Sequence, residues 1–111
     1  MENLRLENWF EVTFDEAKIY RKVSPPTGLG YQDEFFWKDI IRICFKPTEE
    51  FFESDEIYIF TNTRPESYVI PSEAFGAAKL WGEIIDRKLF PADLAIRVAS
   101  STEGLYYWPM D

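Results

Sequence analysis

The sequence predicts an α+β fold: a curved antiparallel sheet or partly open β-barrel, capped by one amphipathic helix near the C-terminus, with a short second helix after it. Three observations carry this expectation. Only Pro71 to Phe90 shows apolar residues recurring at three- and four-residue steps. Almost everything before it reads as short runs of aromatic and β-branched residues broken by turn formers. A helix with one apolar face must lie on something apolar, and a bent sheet is the partner such a chain can supply.

The first strand is expected at Trp9 to Phe14, where Phe10, Val12 and Phe14 alternate with polar neighbours as in a half-buried strand. Asp15 to Lys18 supplies a polar turn and Ile19 to Val23 the returning strand of a hairpin. Ser24 to Gly30 carries two prolines and two glycines, which cannot sit inside a ladder, so it reads as a surface loop. Its Gly-Leu-Gly triplet lacks both the lysine of a phosphate-binding loop and the third glycine of a dinucleotide fingerprint.

Glu34 to Lys46 divides near Lys38-Asp39. In its second part Ile41, Ile43 and Phe45 are expected on one face and Arg42, Cys44 and Lys46 on the other, which need not place Cys44 deep in the core. Glu56 to Thr61 is the next strand, Asn62 to Ser67 a turn, and Tyr68 to Ile70 a strand that Pro71 ends. The count is five or six strands.

In the helix, Ser72 is the expected cap and Glu73 the favourable first-turn acid. Ala74, Ala77, Ala78, Trp81, Ile84 and Ile85 form the expected apolar face, with Trp81 buried against the sheet. Pro91 to Leu94 reads as the start of the second helix, running to about Ser100, with a strand at Ala95 to Ala99 as the alternative. The aromatic run Leu105 to Trp108 is expected to dock on the body of the domain, because three successive aromatics in water would leave a large apolar patch.

The whole chain, 1–111, reads as one domain without repeats or linkers. It has no histidine and one cysteine, Cys44, so histidine triads and bases, most zinc sites and any intramolecular disulfide are excluded. A net charge of −8 without a cluster of Lys and Arg argues against nucleic acid and anionic membranes as partners. Met1 to Glu7 has no signal-peptide pattern, and no apolar run approaches the ~20 residues of a membrane span. The expected protein is cytoplasmic, binds no cofactor and is not an enzyme, since no acid–base pair stands out among its twenty carboxylates.

The order of short strands, the Trp37-Lys38-Asp39-Ile40 step that opens a strand, and the strand ending in Val69-Ile70-Pro71 that feeds one amphipathic helix together resemble bacterial pleckstrin-homology-like domains. The resemblance covers roughly Trp9 to Phe90. It implies a curved, partly open barrel with one end plugged by the helix, and a scaffold often used to bind other proteins. Phosphoinositide-binding members carry a basic loop between their first strands. Here that turn is Asp15-Glu16-Ala17-Lys18, so the resemblance does not extend to lipid binding.

The strongest local anomaly is residues 49–56, Glu-Glu-Phe-Phe-Glu-Ser-Asp-Glu, five acids around two adjacent phenylalanines. Residues 31–56 hold eight acidic and three basic side chains, a net −5 of the total −8. A calcium loop is disfavoured, because the regular Asp/Asn spacing and central glycine are missing. One reading is a solvated loop whose rings fold back on the sheet; the other is a docking surface, with Phe51 and Phe52 as anchors inside the field of Glu49, Glu50, Glu53 and Asp55. The leading expectation is therefore a non-enzymatic protein-binding module with a basic protein partner. Its specific version is an immunity-type inhibitor of a basic toxin such as a nuclease. The alternatives are a small protein that binds apolar ligands in the mouth of the sheet, for which the aromatic content speaks, and an enzyme that works with carboxylates alone.

Overall fold

The computed structural model describes residues 5–48, 55–99, 101 and 104–109. Within them the strands form two antiparallel sheets. In the first, β1 (Phe10–Phe14), β2 (Lys18–Val23) and β3 (Tyr31–Phe36) follow one another as a meander. The second contains β4 (Ile40–Lys46), β5 (Glu56–Thr61) and β6 (Arg64–Pro71), and β7 (Tyr106–Trp108) adds on the far side of β4 to give the order β6-β5-β4-β7. Helices α1 (Ala77–Asp86) and α2 (Ala92–Ala99) lie between β6 and β7 in the chain. The expected α+β class holds, with the curved sheet divided into two sheets that do not close into a barrel by strand pairing.

The first hairpin turns where the sequence places it, because the Asp15 carboxylate accepts the N–H groups of Ala17 and Lys18 at 2.9 and 2.8 Å. The break at Lys38-Asp39 is the point where the chain leaves one sheet for the other. A 3-10 turn over Trp37–Asp39 makes the corner, and the buried Trp37 fixes it. The indole Nε1 donates to Asp15 O at 2.9 Å, the backbone N–H donates to Ala17 O at 3.0 Å, and the ring meets Phe14 edge-on.

Side chains join the two sheets. Phe35 of β3 stacks on Tyr68 of β6 with ring centroids 4.0 Å apart. Arg21 of β2, only 6% exposed, holds both carboxylate oxygens of Asp33 at 2.9 and 2.6 Å and donates from Nη1 to Val69 O of β6 at 2.9 Å. Arg64 lies over the Tyr68 ring at 3.6 Å, and its guanidinium donates to the carbonyls of Glu66 and Ser67 at 3.0 Å each. The interior between sheets and helices is filled by Ile19, Ile43, Ile57, Ile59, Ile70, Leu80, Ile84 and Phe90, all essentially without solvent contact.

Several expectations are corrected here. The helix begins at Ala77, so Ser72 does not cap it. The preceding residues are tied to the edge of β1 instead: Phe75 N–H donates to Phe10 O at 2.8 Å and Val12 N–H to Phe75 O at 2.9 Å, a parallel bridge that no periodicity announces. Gly76 then turns the chain at φ +87, in a place where a Cβ would stand 2.2 Å from Val12 O. At the other end α1 stops at Asp86, short of Phe90. Lys88 N–H donates to Ile85 O and Leu89 N–H to Ile84 O, the paired bonds of a Schellman cap, with Lys88 at φ +63 in the left-handed position that glycine usually takes.

The shorter helix rotates its face. Ala77, Leu80 and Ile84 are buried, Ala78 is exposed and Ile85 half-buried. Trp81 is half-buried rather than buried, with its ring 5.1 Å from Phe45 of β4 and 4.9 Å from Phe90. Ile41 is 54% exposed, because the register of β4 against β5 shifts between Ile40 and Arg42. The described residues form seven strands, not five or six. β3 begins at Tyr31, in a stretch whose Asp33 faces inward for Arg21 and so hides the alternation, and β7 is too short to show a pattern. The tail docks, as expected, and does so as a strand.

Two substitutions test these junctions. Gly76→Ala should lower stability by at least ~2 kcal/mol, through left-handed strain and the clash with Val12 O. Lys88→Gly should raise it by ~1 kcal/mol or less, by relieving a non-glycine left-handed residue. Urea midpoints at unchanged m-value check both.

Candidate protein-docking face

Of the six predicted site residues, Glu49, Glu50, Phe51, Phe52 and Glu53 lie outside the described residues. Asp55 is described, and its groups brace the ends of the β4–β5 connection. One carboxylate oxygen accepts Thr48 N–H at 2.8 Å, and its carbonyl accepts Ser72 N–H at 2.7 Å.

The structure brings forward a surface the sequence reading passed over, the outer face of the four-stranded sheet. Strand pairing sets Tyr107, Cys44, Tyr58 and Val69 side by side across β7, β4, β5 and β6. Directly paired residues share a face, so the four form one row. Arg42 and Phe60 form the neighbouring row, with the Arg42 guanidinium 5.3 Å from the centre of the Tyr107 ring. α1 meets β4 through Phe45, on the opposite face, so this helix leaves the row uncovered. Leu105 is 55% exposed and Tyr107 39%. With Ile41, Arg42, Phe60 and Pro109 they border an open groove of about 500 Å³ whose floor includes Cys44.

The row explains Cys44. It is 5% exposed although it faces away from the core, because Tyr58 and Tyr107 flank it on both neighbouring strands. Burial pushes its thiol above the ordinary range, with Arg42 drawing it back in part. Burial likewise pushes Tyr58 up to about 12, reinforced by the hydrogen bond from its hydroxyl to the Glu56 carboxylate. Neither shift prepares a nucleophile, since both favour the neutral form.

Elsewhere some ionisable groups pair with one another, Lys18 with Glu34 and Arg87 with Glu83. Asp15, fully exposed, is held below the usual carboxylate range, chiefly by the hydroxyl of Tyr20 at 2.6 Å and then by the Lys18 and Ala17 amides, the reverse of what a general acid needs. Among the described residues no three acidic or cysteine side chains gather as metal ligands would. No helix among the described residues is long and apolar enough to cross a membrane.

Compared with protein-family models, curated proteins and solved structures, the chain finds no match. The signal that could have found the outer face was its pairing, since Cys44, Tyr58 and Val69 are far apart in sequence and become neighbours only through register.

Two measurements follow from this geometry. Cys44 should react with a chromogenic disulfide reagent at least about a hundredfold more slowly in the native chain than in denaturant, because the thiolate is disfavoured and covered. For Tyr58, the folded-state value lies above the ordinary phenol value of 10, so the stability it contributes is complete below pH 10 and falls as pH rises toward 12. Tyr58→Phe should flatten the stability profile in that window, read from urea midpoints.

Proposed function

We propose that this chain is a non-enzymatic protein-binding module that holds its partner on the outer face of the four-stranded sheet. The observation that carries the reading is the outward apolar row of Tyr107, Cys44, Tyr58 and Val69, which α1 does not cover, bordered by exposed Ile41 and Leu105 and half-buried Phe60. A contiguous apolar surface of this kind on a small domain is the usual mark of a contact site, and aromatic anchors carry most of the energy of such contacts.

Charge favours a basic partner. The chain carries −8, and residues 31–56, which include all of β4, carry −5 of it. Lys46, after which the acidic segment begins in the sequence, stands five residues and roughly 17 Å along β4 from Ile41. In this arrangement the apolar face holds the partner and the carboxylates speed its approach. The finer version, an immunity-type inhibitor of a basic toxin, rests on small size and acidic charge together with this face. The likeness to pleckstrin-homology-like domains supports only the use of such a scaffold for protein contacts. A binder of apolar ligands inside the sheet is less well supported, because bulky side chains fill that space.

The test is capture from lysate by the immobilised chain, with the captured protein identified by mass spectrometry. The Ile41→Lys, Leu105→Lys double variant changes only exposed side chains and should retain its fold by circular dichroism. It should weaken binding of the captured protein by ~2 kcal/mol or more, about 30-fold, and rising salt should slow association. Undiminished binding by this variant, with loss in Phe51→Ala, Phe52→Ala, would move the contact surface to the acidic segment.

A further inference from the structure

The outward face of the four-stranded sheet is arranged symmetrically about its own midline. In the order β6-β5-β4-β7 that midline runs between β5 and β4, with one further strand on either side. Pairing sets three rows across it: Tyr107, Cys44, Tyr58 and Val69 in the middle, Arg42 and Phe60 toward one end, and Lys46, Glu56 and Pro71 toward the other. Along the middle row, large side chains alternate with small ones. The charged side chains of the three rows are Arg42, Lys46 and Glu56, a net +1, in a chain that carries −8 overall. Two copies can therefore meet on this face without bringing their excess carboxylates together.

We propose that this face takes a second copy of the chain, the two sheets packing face to face about a twofold axis that runs along the midline between β4 and β5. The proposal rests on the docking-face reading and names an occupant for that face. Rotation about this axis exchanges β4 with β5 and β7 with β6. It sets Tyr58 over the second copy's Cys44 and Tyr107 over its Val69, large against small, as two interdigitating sheets require. It also sets Lys46 over the second copy's Glu56, and the twofold makes that ion pair twice. One oxygen of Glu56 accepts the Tyr58 hydroxyl at 2.5 Å, and the other can take the ammonium. Sheets packed in this way cross at about 30°, an offset that the long Lys46 side chain spans. Strands ~4.8 Å apart and rows ~7 Å apart outline a face of roughly 20 by 20 Å. That is small beside the ~800 Å² per partner of a standard complex, so the dimer dissociates readily, and a protein that binds the face more tightly replaces the second copy.

The experiment is sedimentation equilibrium on the full chain up to millimolar concentration, for the native sequence, for Lys46→Glu, for Glu56→Lys and for an equal mixture of the two variants. The native chain should form dimers and no larger species. Each variant alone sets like charges against each other at both contacts and should dimerise at least about tenfold more weakly, with its fold checked by circular dichroism. In the mixture, the new carboxylate of one variant meets the new ammonium of the other, and the native Glu56 of the first meets the native Lys46 of the second. Dimers should then return to about the native level. Net charge does not predict this recovery, because each exchange moves the charge by two, from −8 to −10 and to −6, and both variants stay negative. Within each variant chain the neighbouring pair remains like-charged, so recovery reports the contact between copies. Carbodiimide coupling of unlabelled with isotope-labelled native chain reads the same contact without substitution, as a Lys46–Glu56 link that joins the two labels. A chain that stays monomeric, a mixture no better than its components, or dimers in which that link never joins the two labels each overturn the proposal. The docking-face reading is judged separately by the Ile41→Lys, Leu105→Lys capture, which needs no second copy. Loss of that capture in a chain that stays monomeric therefore defeats the dimer and leaves the face in place.

Discussion

The fold depends on the guanidinium of Arg21, which stands where strand pairing stops. The two sheets share no ladder, so what holds them in register across that gap must come from side chains. Arg21 reaches from β2 to a backbone carbonyl of β6 while both oxygens of Asp33 neutralise it. Fork-to-fork geometry and a third acceptor are the conditions under which a buried charge is tolerated. Breaking such a pair from one side costs about 3–5 kcal/mol, because the remaining charge stays buried. The aromatic layer beside it, Phe35 stacked on Tyr68 beneath Arg64, excludes water from the same gap.

At the other side of the domain the closure is made of backbone and helix. Phe75 binds the segment before α1 to the edge of β1, Gly76 lets the chain pass close to Val12, and α1 then touches β1 with one end while Trp81 reaches Phe45 of β4. The helix is thus a clasp over both sheets. Because α1 contacts β4 through its inward residues, the outward row of the same strand stays open. The open apolar row is in this sense a product of where the helix lies.

Much of the architecture is legible in the sequence because it is local. The alternation at Phe10, Val12 and Phe14, the Asp15 turn, the break at Lys38-Asp39 and the apolar steps of α1 each depend on residues a few positions apart. What escaped is what depends on distance along the chain. The parallel bridge at Phe75 moves the helix start from Ser72 to Ala77. Lys88 ends the helix without a glycine to mark it. The inward Asp33 makes sense only once Arg21 is seen opposite it. The candidate docking face is the extreme case, since each of its residues reads as an ordinary strand position until register sets the four strands side by side.

One feature of β6 reaches beyond the folded monomer. Bare edge carbonyls are the template on which strands of other molecules stack, and long uncovered edges lead small β-rich domains toward aggregation. On β6 the carbonyls of Glu66, Ser67 and Val69 already accept arginine donors, and the Arg64 guanidinium is pinned flat on Tyr68. An incoming strand would have to strip two charged groups from their acceptors before forming its first bond. End-to-end stacking of copies through this sheet is thereby blocked at one end.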